Sequence, residues 1–415
     1  MQKQIHFPSS LRGEVKLPAS KSLAGRALVI SVLASGEKGT LLVEPLSDCD
    51  DTQVMLRALA QPSSVVDIHA AGTAMRFLTA LFSVTPGRRM LTGTPRMQQR
   101  PIGILVDALR SLGATLHYEK NEGFPPLTIE GKPLCGGEIS LPADVSSQYI
   151  SALLMIGPTM GKGLRLHLDG TIVSRPYIDM TLGLMRHFGA HAEWTDAHSL
   201  YVSPTPYVAG RHYSVEGDWS GASYWYEMVA LSPDPSARLF LPGLHADSWQ
   251  GDAEVRHLFE PLGVVTTFTD GGVVLMKGTP SNVPVRFDLN RQPDLAQTLV
   301  VSCALAERPF HFTGLQNLKI KETDRIAALR CEMAKLGYIV REAHDAELYW
   351  EGERCAPTPS PIIATYDDHR MAMSFAPAAY RFPGLRIDHP EVVSKSYPAF
   401  WEVLAGLGAD LADIS

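Results

Sequence analysis

The sequence predicts a mixed α/β protein built from six similar units that divide into two domains. Three observations support this prediction: the length of 415 residues, a helix that recurs at a regular interval and ends in glycine, and short strand-like runs between the helices. A chain of this length exceeds the size at which one hydrophobic core keeps growing, so at least two domains are expected. Its 45% hydrophobic and 20% charged residues are typical of a globular protein.

The recurring helix is an amphipathic stretch that ends in a large apolar residue followed by glycine. Apolar residues at three- and four-residue spacing predict the helix, and a glycine after it adopts the left-handed conformation that caps a helix end. Five such glycines follow one another at intervals of 71 to 76 residues: Gly113, Gly189, Gly263, Gly337 and Gly408. The stretch DTQVMLRALAQ, ending at Gln61, is a degenerate sixth copy. One Leu-Gly pair arises easily by chance, but several near-equal intervals favour true repetition.

Short β-like runs bounded by glycine and proline lie between these helices. They include GLRLHLDG at 163–170, ARLFLPG at 237–243, GVVLMKG at 272–278 and PFHFTG at 309–314. Because a period near 75 is too long for the small solenoid repeats, each block should hold several strands and two helices. Six blocks then form two domains of three.

Charge and apolar patterning exclude several classes of function. The net charge of -7 and the absence of a concentrated basic stripe argue against nucleic-acid binding. The N-terminal segment has no apolar run of signal-peptide length, and no run of about 18 apolar residues that could span a membrane occurs, so we expect a cytoplasmic protein without a membrane partner. The five cysteines are odd in number and never form a CxxC pair, which argues against a disulfide framework or a zinc site. We expect most of them to be small buried residues.

Two segments of the N-terminal half combine small residues with cations. In the first, PASKSLAGR at 18–26, a Ser-Lys-Ser turn opens a helix, and its backbone N–H groups with Lys21, Ser22 and Arg26 suit a phosphate or carboxylate. A simple serine cap with solvated cations explains the same residues. In the second, Gly72 permits close approach of a ligand to the backbone. Arginines that can grip an anion at two points, or be structural, follow it: Arg76, Arg96 and Arg100.

Hydroxyl groups mark two further helix starts. They lie in DVSSQ at 144–148 and SRPYID at 174–179. Such residues either cap their helices or bind the phosphate and hydroxyl groups of a ligand.

The C-terminal half carries four charged segments: RQPD at 291–294, NLKIKETDR at 317–325, YDDHR at 366–370 and SK at 394–395. The second segment places both signs of charge within one predicted helical turn: Lys321, Glu322, Asp324 and Arg325. This is either a surface ion-pair face or an acid/base site. In the third segment, His369 suits a structural hydrogen bond and Arg370 an anion clamp. No metal-ligand spacing, Walker A loop or dinucleotide fingerprint is present.

Together and in this order, the motifs resemble the 5-enolpyruvylshikimate-3-phosphate synthase family from Lys16 to about Trp401. The resemblance implies a two-domain inside-out α/β barrel, each domain holding three βαβαββ units. It implies one domain from residues 21–215 and another from residues 1–20 with 216–415, with the active site in the cleft between them.

The resemblance also implies the activity. The family transfers the enolpyruvyl group of phosphoenolpyruvate to the 5-hydroxyl of shikimate 3-phosphate and releases phosphate, through a tetrahedral intermediate and without a cofactor or metal. Its members are targets of glyphosate. We expect a monomer whose partners are these two small molecules.

Site residues follow by matching motif to motif. Shikimate 3-phosphate is expected to contact Lys21, Ser22, Arg26, Ser146, Ser147, Ser174, Tyr177, Asp294, Asn317 and Lys321. Phosphoenolpyruvate is expected to contact Lys21, Gly72, Arg100, Gln148, Arg325, Arg370 and Lys395. The catalytic residues implied are Asp294 as acceptor of the hydroxyl proton, and Glu322 with Lys21 for the proton at C3.

Some positions depart from the usual family pattern, and they are Ala19, Gly25, Ala70 and Phe77. None of them removes a charged participant. The main rival is a UDP-N-acetylglucosamine enolpyruvyl transferase, which has Lys-Asn in place of Lys21-Ser22 and a cysteine near Pro95. A non-catalytic phosphometabolite-binding protein is the other alternative, and it would lack Asp294 and Glu322.

Overall fold

The computed structural model describes residues 1–35, 42–60, 63–144 and 146–414. Contacts within the chain divide it into two units. Unit 1 combines Met1–Pro18 with Glu216–Ser415, and unit 2 is Ala19–Val215. The chain therefore begins in unit 1, builds unit 2 and then returns.

Each unit has its own hydrophobic core, one around Trp225 and Phe312 in unit 1 and one around Phe77 and Leu153 in unit 2. Two separate cores agree with the limit that size places on a single one. Both helices and strands surround each core, as the sequence predicts for an α/β fold.

The strands are short. In chain order they are β1 (Gln2–His6), β2 (Arg12–Glu14), β3 (Val43–Glu44), β4 (Val65–Asp67), β5 (Gly87–Thr92), β6 (Thr115–Tyr118), β7 (Leu127–Gly131), β8 (Gly137–Pro142), β9 (Leu164–Asp169), β10 (Ala192–Trp194), β11 (Ser199–Val202), β12 (Tyr213–Ser214), β13 (Arg238–Pro242), β14 (Val264–Thr269), β15 (Gly272–Lys277), β16 (Val285–Asp288), β17 (Phe310–Thr313), β18 (Arg341–Ala343), β19 (Glu347–Trp350), β20 (Ile362–Ile363), β21 (Leu385–Asp388) and β22 (Asp410–Ile414).

The helices vary more in length. They are α1 (Lys21–Ser35), α2 (Asp50–Ala60), α3 (Gly72–Val84), α4 (Gly103–Ser111), α5 (Ser147–Ile156), α6 (Arg175–His187), α7 (Trp219–Leu231), α8 (Val255–Leu258), α9 (Ala296–Leu305), α10 (Arg325–Lys335), α11 (His369–Phe375) and α12 (Phe400–Gly406). The 3₁₀ helices are Met97–Gln99, Gly157–Thr159, Gly251–Glu254, Glu260–Leu262, Pro293–Leu295, Gln316–Ile320, Ala376–Tyr380 and Pro390–Lys395.

Among the described residues, five four-stranded sheets share one topology, which confirms the predicted repetition. Their orders are β2-β13-β15-β14, β4-β5-β7-β6, β8-β9-β11-β10, β16-β17-β19-β18 and β20-β21-β1-β22. In each, the first two strands named are parallel and the other pairs are antiparallel. The described part of the sixth repeat contributes the parallel pair β3 and β12. From β4 to β7, β8 to β11 and β16 to β19 the chain order is βαβαββ.

The glycines at the repeated helix ends all adopt positive φ, between 81° and 97°, as predicted for a helix C-cap. The repeat that ends at Gly263 differs from the prediction of one continuous helix. There α8 stops at Leu258 and a 3₁₀ turn follows, because Pro261 has no N–H group to continue an α-helix. The sixth predicted end, Gln61, lies outside the described residues, although α2 confirms the helix before it.

Apolar helices form the centre of each unit. In unit 2, α1, α3 and α5 pack against one another, and in unit 1 α7, α9 and α11 do so. Every residue of α9 and of α11 is buried, so neither helix has a side that faces solvent, and even Arg370 of α11 is enclosed by the protein. The prediction that most cysteines are buried is wrong. Cys49 and Cys303 are buried, whereas the thiols exposed at the surface are those of Cys135, Cys331 and Cys355.

Candidate functional site

Several predicted anion-binding residues of unit 2 lie at the N-terminal ends of α1, α3 and α5: Lys21, Ser22, Gly72, Ser147 and Gln148. These ends are neighbours, because Gln148 Nε2 donates a hydrogen bond of 3.0 Å to Thr73 Oγ1. The methyl group of Thr73 would lie 3.8 Å from a Cβ atom added to Gly25 of α1. The first turn of a helix leaves backbone N–H groups without partners inside the helix and carries a partial positive charge. Three such turns together suit an anion.

Arg100 lies directly against Gly72 at the start of α3. A Cβ atom on Gly72 would come within 2.6 Å of Arg100 Nη1 and 3.1 Å of its Cζ, so only glycine leaves room for the guanidinium. Within the described residues, Arg100 has no ion-pair partner and its buried Nε has no hydrogen-bond acceptor. This guanidinium is a cation whose charge is left for a ligand.

Hydrogen bonds from two buried side chains fix the loop that contains Arg100. Arg76, which is 4% exposed, donates to the carbonyl oxygens of Gly72 (3.2 Å) and Pro101 (3.1 Å). The Tyr149 hydroxyl donates to the same Pro101 oxygen. Arg76 is therefore the structural arginine of this motif. Arg96 is exposed at the start of the 3₁₀ turn Met97–Gln99.

Lys21 and Arg26 of α1 differ in exposure and in partners. Lys21 Nζ lies 3.0 Å from Asp51 Oδ2, with 17% and 11% of the two side chains exposed. Arg26 is 2% exposed and donates to Thr181 Oγ1 (2.7 Å) and to the Ser22 carbonyl oxygen (2.8 Å). Burial lowers the pKa of Arg26 to about 10, against the opposing effect of the Tyr177 hydroxyl. Arg26 is thus charged at neutral pH and holds the first turn of α1.

The serines and the tyrosine at the two further helix starts lie at the N-cap positions or in the first turns of α5 and α6. Ser146 caps α5 by accepting from Gln148 N (3.4 Å), and Ser147 is 8% exposed. Ser174 precedes α6 with φ 55° and ψ 35° and makes no side-chain cap bond. A left-handed serine is uncommon and such strain concentrates at functional positions. Tyr177, half-buried, lies in the first turn of α6.

In unit 1 the charged segments meet around one carboxylate, that of Asp294, just before α9. Asp294 Oδ1 lies 3.1 Å from Arg325 Nη1 and 3.4 Å from Lys321 Nζ, and its Oδ2 lies 2.8 Å from Arg370 Nη2. Burial would raise the pKa of Asp294, but Arg370, Lys321 and Arg325 outweigh it and hold that pKa well below its ordinary value. The carboxylate is ionised in the ligand-free protein.

Glu322 and Asp368 complete this cluster. Glu322 bridges Arg325 Nη2 (3.0 Å) and Lys395 Nζ (2.8 Å). Asp368, fully buried at the N-cap of α11, accepts from Arg325 Nε (2.7 Å) and from Arg370 N (2.9 Å). Burial would lower the pKa of Arg325, yet the carboxylates of Asp368, Glu322 and Asp294 raise it. Arg325 is therefore a permanent cation.

The charges of this cluster do not cancel. Its cations are Lys321, Arg325, Arg370 and Lys395, and its carboxylates are Asp294, Glu322 and Asp368. An excess of one positive charge, with Lys321 26% and Lys395 10% exposed, leaves the cluster able to attract an anion.

The helical turn predicted for residues 321–325 is wrong. The segment is non-helical until α10 begins at Arg325, because the Asp324 side chain caps the helix by accepting from Ala327 N (3.1 Å). Lys321 and Glu322 therefore reach Asp294 and Lys395 from an irregular loop. Asn317 lies half-buried in the 3₁₀ helix Gln316–Ile320 that precedes it.

Sequence reasoning missed several partners of these residues. Asp51 pairs with Lys21, Thr73 accepts from Gln148, and Asp368 binds Arg325. Asp368 had a signal, since an aspartate before a buried helix is a standard N-cap. The other two had none.

Across the described ranges, no cluster of histidine, cysteine, aspartate or glutamate could hold a metal ion. None of the helices described there is both long and apolar enough to cross a membrane.

Comparisons with known proteins agree with the resemblance. The family model for EPSP synthase (3-phosphoshikimate 1-carboxyvinyltransferase) matches residues 5–61 and 57–404. The chain is 54% identical over 415 residues to a 3-phosphoshikimate 1-carboxyvinyltransferase of Bacteroides fragilis strain YCH46, with 100% of each chain covered. It is 37% identical over 426 residues to that of Shewanella sp. strain MR-7, which covers 96% of this chain and 97% of the relative.

A solved structure supports the fold. The EPSP synthase of Acinetobacter baumannii superposes with a TM-score of 0.78 at 21% identity and covers 100% of both chains. The family match, the full-length relatives and this fold confirm the predicted two-domain α/β architecture and favour the main interpretation over the UDP-N-acetylglucosamine rival. The chain belongs to the EPSP synthase (3-phosphoshikimate 1-carboxyvinyltransferase) family.

Proposed function

We propose that this protein transfers the enolpyruvyl group of phosphoenolpyruvate to the 5-hydroxyl of shikimate 3-phosphate and releases phosphate. Its family membership supports the reaction. The observation in the molecule that carries the proposal is the Asp294 carboxylate, held by Lys321, Arg325 and Arg370. An acid/base group inside a cluster of cations suits a proton transfer between two anionic substrates.

The reaction proceeds in two balanced steps. In the addition, the oxygen of the 5-hydroxyl bonds to C2 of phosphoenolpyruvate, loses its proton to a base, and C3 gains a proton from an acid. In the elimination, the C2–O bond to phosphate breaks and C3 loses a proton, which restores the double bond. Both an acid and a base are therefore required, each typically worth about 10²- to 10⁴-fold in rate.

We assign Asp294 as the proton acceptor from the hydroxyl. With its pKa held low by Arg370, Lys321 and Arg325, it is a weak base in the ligand-free protein. Anionic groups of the substrates would neutralise part of that positive field, so the basicity of Asp294 should rise when the substrates bind. The carboxylate would become a better base only when there is a hydroxyl to deprotonate.

We assign the protonation and deprotonation of C3 to Glu322 with Lys21. Glu322 is held between Arg325 and Lys395 at 3.0 Å and 2.8 Å, so its carboxyl group has a fixed position. For phosphoenolpyruvate we propose the contacts Lys21, Gly72, Arg100, Gln148, Arg325, Arg370 and Lys395. For shikimate 3-phosphate we propose Lys21, Ser22, Arg26, Ser146, Ser147, Ser174, Tyr177, Asp294, Asn317 and Lys321.

The two clusters belong to different units, Arg100 to unit 2 and Asp294 to unit 1. That both act on the same pair of substrates, in one site between the domains, stays a prediction. That the enzyme works as a cytoplasmic monomer stays a prediction too.

The test is release of inorganic phosphate by the purified protein from phosphoenolpyruvate and shikimate 3-phosphate. We expect turnover in the wild type. Turnover should be nearly abolished in Asp294→Ala and in Arg100→Ala, because each substitution removes a side chain that is proposed to contact the reacting anions. The controls are Arg165→Ala and Asp270→Ala, exposed residues of the same types in the same two units. Circular dichroism would establish that all four variants are folded.

Wild-type rates in either site variant would contradict the assignment of that residue. Phosphate release with UDP-N-acetylglucosamine in place of shikimate 3-phosphate would favour the rival enolpyruvyl transferase. Binding of both substrates without release of phosphate would favour a non-catalytic binding protein.

A further inference from the structure

The turn that leads into α11 has an unfavourable backbone. Tyr366 and Asp367 are consecutive residues other than glycine with φ of 54° and 55°. Side chains in this left-handed region crowd the backbone, so each such residue costs free energy that other contacts must offset. Within the next three residues follow Asp368 and Arg370, both part of the charged cluster of unit 1.

A carboxylate on α10 holds this turn. Glu332, which is fully buried, accepts from the Tyr366 hydroxyl at Oε1 (2.7 Å) and from Ala364 N at Oε2 (3.0 Å). Lys335, one turn further along α10, donates to Glu332 Oε2 (2.7 Å) and to the Ile362 carbonyl oxygen (3.0 Å). The two side chains thus fasten the strand β20 and the turn after it to α10.

The same helix carries a residue of the cluster at its other end. Arg325 begins α10 and binds Asp368 at 2.7 Å, so the turn is joined to α10 at two places. The body of α11 is held by its packing against α7 and α9. The contacts of Glu332 with Tyr366 and Ala364 hold the turn before it, from which Asp368 and Arg370 reach the cluster.

We propose that Glu332 and Tyr366 are positioning residues for the reaction. Neither belongs to the contacts proposed for the substrates. By holding the turn before α11 in its strained conformation, they keep Arg370 at the distance from Arg325 and Asp294 at which the cluster grips an anion. This inference rests on the proposed function, because it assigns to that function the geometry of its anion clamp.

The first test is Tyr366→Phe, which removes one hydroxyl and keeps the ring. We expect the KM for phosphoenolpyruvate to rise about tenfold, since a displacement near 1 Å in a positioned cation costs up to about a hundredfold. The control is Tyr338→Phe, which removes a hydrogen bond of the same kind, from Tyr338 Oη to Glu307 Oε1 at 3.2 Å, elsewhere in unit 1. That variant should keep the wild-type KM.

A double-mutant cycle distinguishes positioning from general destabilisation. If Tyr366 acts through Arg370, the loss of kcat/KM in Tyr366→Phe combined with Arg370→Lys is smaller than the product of the two single losses. Glu332→Gln, which keeps the volume of the side chain, should raise the KM more than Tyr366→Phe. Urea unfolding of each variant would show that it is folded under the assay conditions.

An active wild type with unchanged kinetics in Tyr366→Phe, or with losses that multiply fully, would overturn the positioning role while leaving the proposed function standing. A wild type that releases no phosphate would overturn both.

Discussion

Arg100 packs so closely against Gly72 that the hydrogen atom of glycine fits at position 72 and a Cβ atom does not. The guanidinium occupies the place that any side chain at position 72 would need. Its position therefore depends on the residue beneath it as much as on its own loop. Because the charge of Arg100 is not matched by a carboxylate of the described residues, a shift of this side chain acts directly on ligand binding.

Gly72→Ala should weaken phosphoenolpyruvate binding while the protein stays folded. The added methyl group would begin 2.6 Å from Arg100 Nη1 and must displace it, since real Cβ contacts are longer. We expect the KM for phosphoenolpyruvate to rise by about 10- to 100-fold, with a smaller change in kcat. Steady-state kinetics with phosphoenolpyruvate as the varied substrate would measure this.

Gly25→Ala is the matched control, because it adds the same methyl group on the neighbouring helix α1. There the new atom meets Thr73 and Phe77 at 3.8 Å and 4.0 Å, which is ordinary contact. Alanine also favours a helix by about 0.5–1 kcal/mol over glycine. An equal rise of KM in both variants would show that the displacement of Arg100 is not the cause.

The sequence identifies charged candidates better than it identifies their partners. Lys21, Arg325 and Arg370 are recognisable because each lies in a compact motif. Asp368 lies 43 positions from Arg325, and only the completed fold brings them together. Pairing of this kind depends on how distant elements pack, which local residue pattern does not encode.

Among the elements, α7 and α9 contain a polar feature that the apolar pattern conceals. Glu227 of α7 is fully buried, and its carboxyl oxygens have no hydrogen-bond partner in the described residues. Burial raises the pKa of Glu227 well above its ordinary value, and it outweighs the opposite effect of Ser302 of α9. The group is therefore protonated in the folded protein over a range in which it is ionised in the unfolded chain.

Glu227→Gln should stabilise the protein at neutral pH. Above the unfolded-state pKa of about 4.3, the unfolded chain releases the proton that the folded protein retains. The free energy of unfolding therefore falls by about 1.4 kcal/mol per pH unit until the folded-state pKa is reached. Glutamine removes this penalty, so the gain should be small near pH 4 and larger at pH 7.

Urea unfolding of both proteins at several pH values would measure this gain. Glu351→Gln, an exposed substitution in the same unit, should show no such trend. A gain that is equal at pH 4 and pH 7 would contradict the pKa argument, because it would reflect packing alone.

Local pattern predicts the repeated elements well. Each of the quoted β-like runs contains a strand, and the predicted glycines cap their helices with positive φ. The failures are also local. Pro261 divides one predicted helix, and the Asp324 cap delays another until Arg325. In both cases a single residue overrides an otherwise helical pattern, which periodicity alone does not register.

At the scale of the whole molecule, the length and the interval between glycines predict repetition and two cores. They do not predict how the chain is shared between the cores. Unit 1 takes its β1 and β2 from the first 18 residues and the rest from beyond residue 215. Strands so distant in sequence pair only because the fold is complete, so composition gives no sign of the boundary.

Shikimate 3-phosphate should slow hydrogen exchange in both units if its proposed contacts are right. A ligand that binds the folded protein and is present at a concentration of about 100 times its Kd adds about 2.7 kcal/mol to the free energy of unfolding. Exchange measured by mass spectrometry should slow at the first turns of α1 and α5 in unit 2, and around Asp294 and Lys321 in unit 1. Peptides from β10 and β11 serve as the internal reference.

Protection confined to one unit would show that the ligand contacts only one cluster, and the prediction of a joint site would then be wrong. In the variant Asp294→Ala, the ligand should protect the peptides around position 294 less than it does in the wild type. Inorganic phosphate at the same concentration would reveal how much of the effect comes from the phosphate group alone.

The strand β1 lies between β21 and β22 in its sheet, antiparallel to both. During synthesis on the ribosome β1 emerges well before its two neighbours, which follow tens of seconds later at about 5–20 residues per second. Unit 2, which is continuous in sequence, can fold before the two strands that pair with β1 have been synthesised. A strand that is synthesised early thus pairs late, after the whole of unit 2 has left the ribosome.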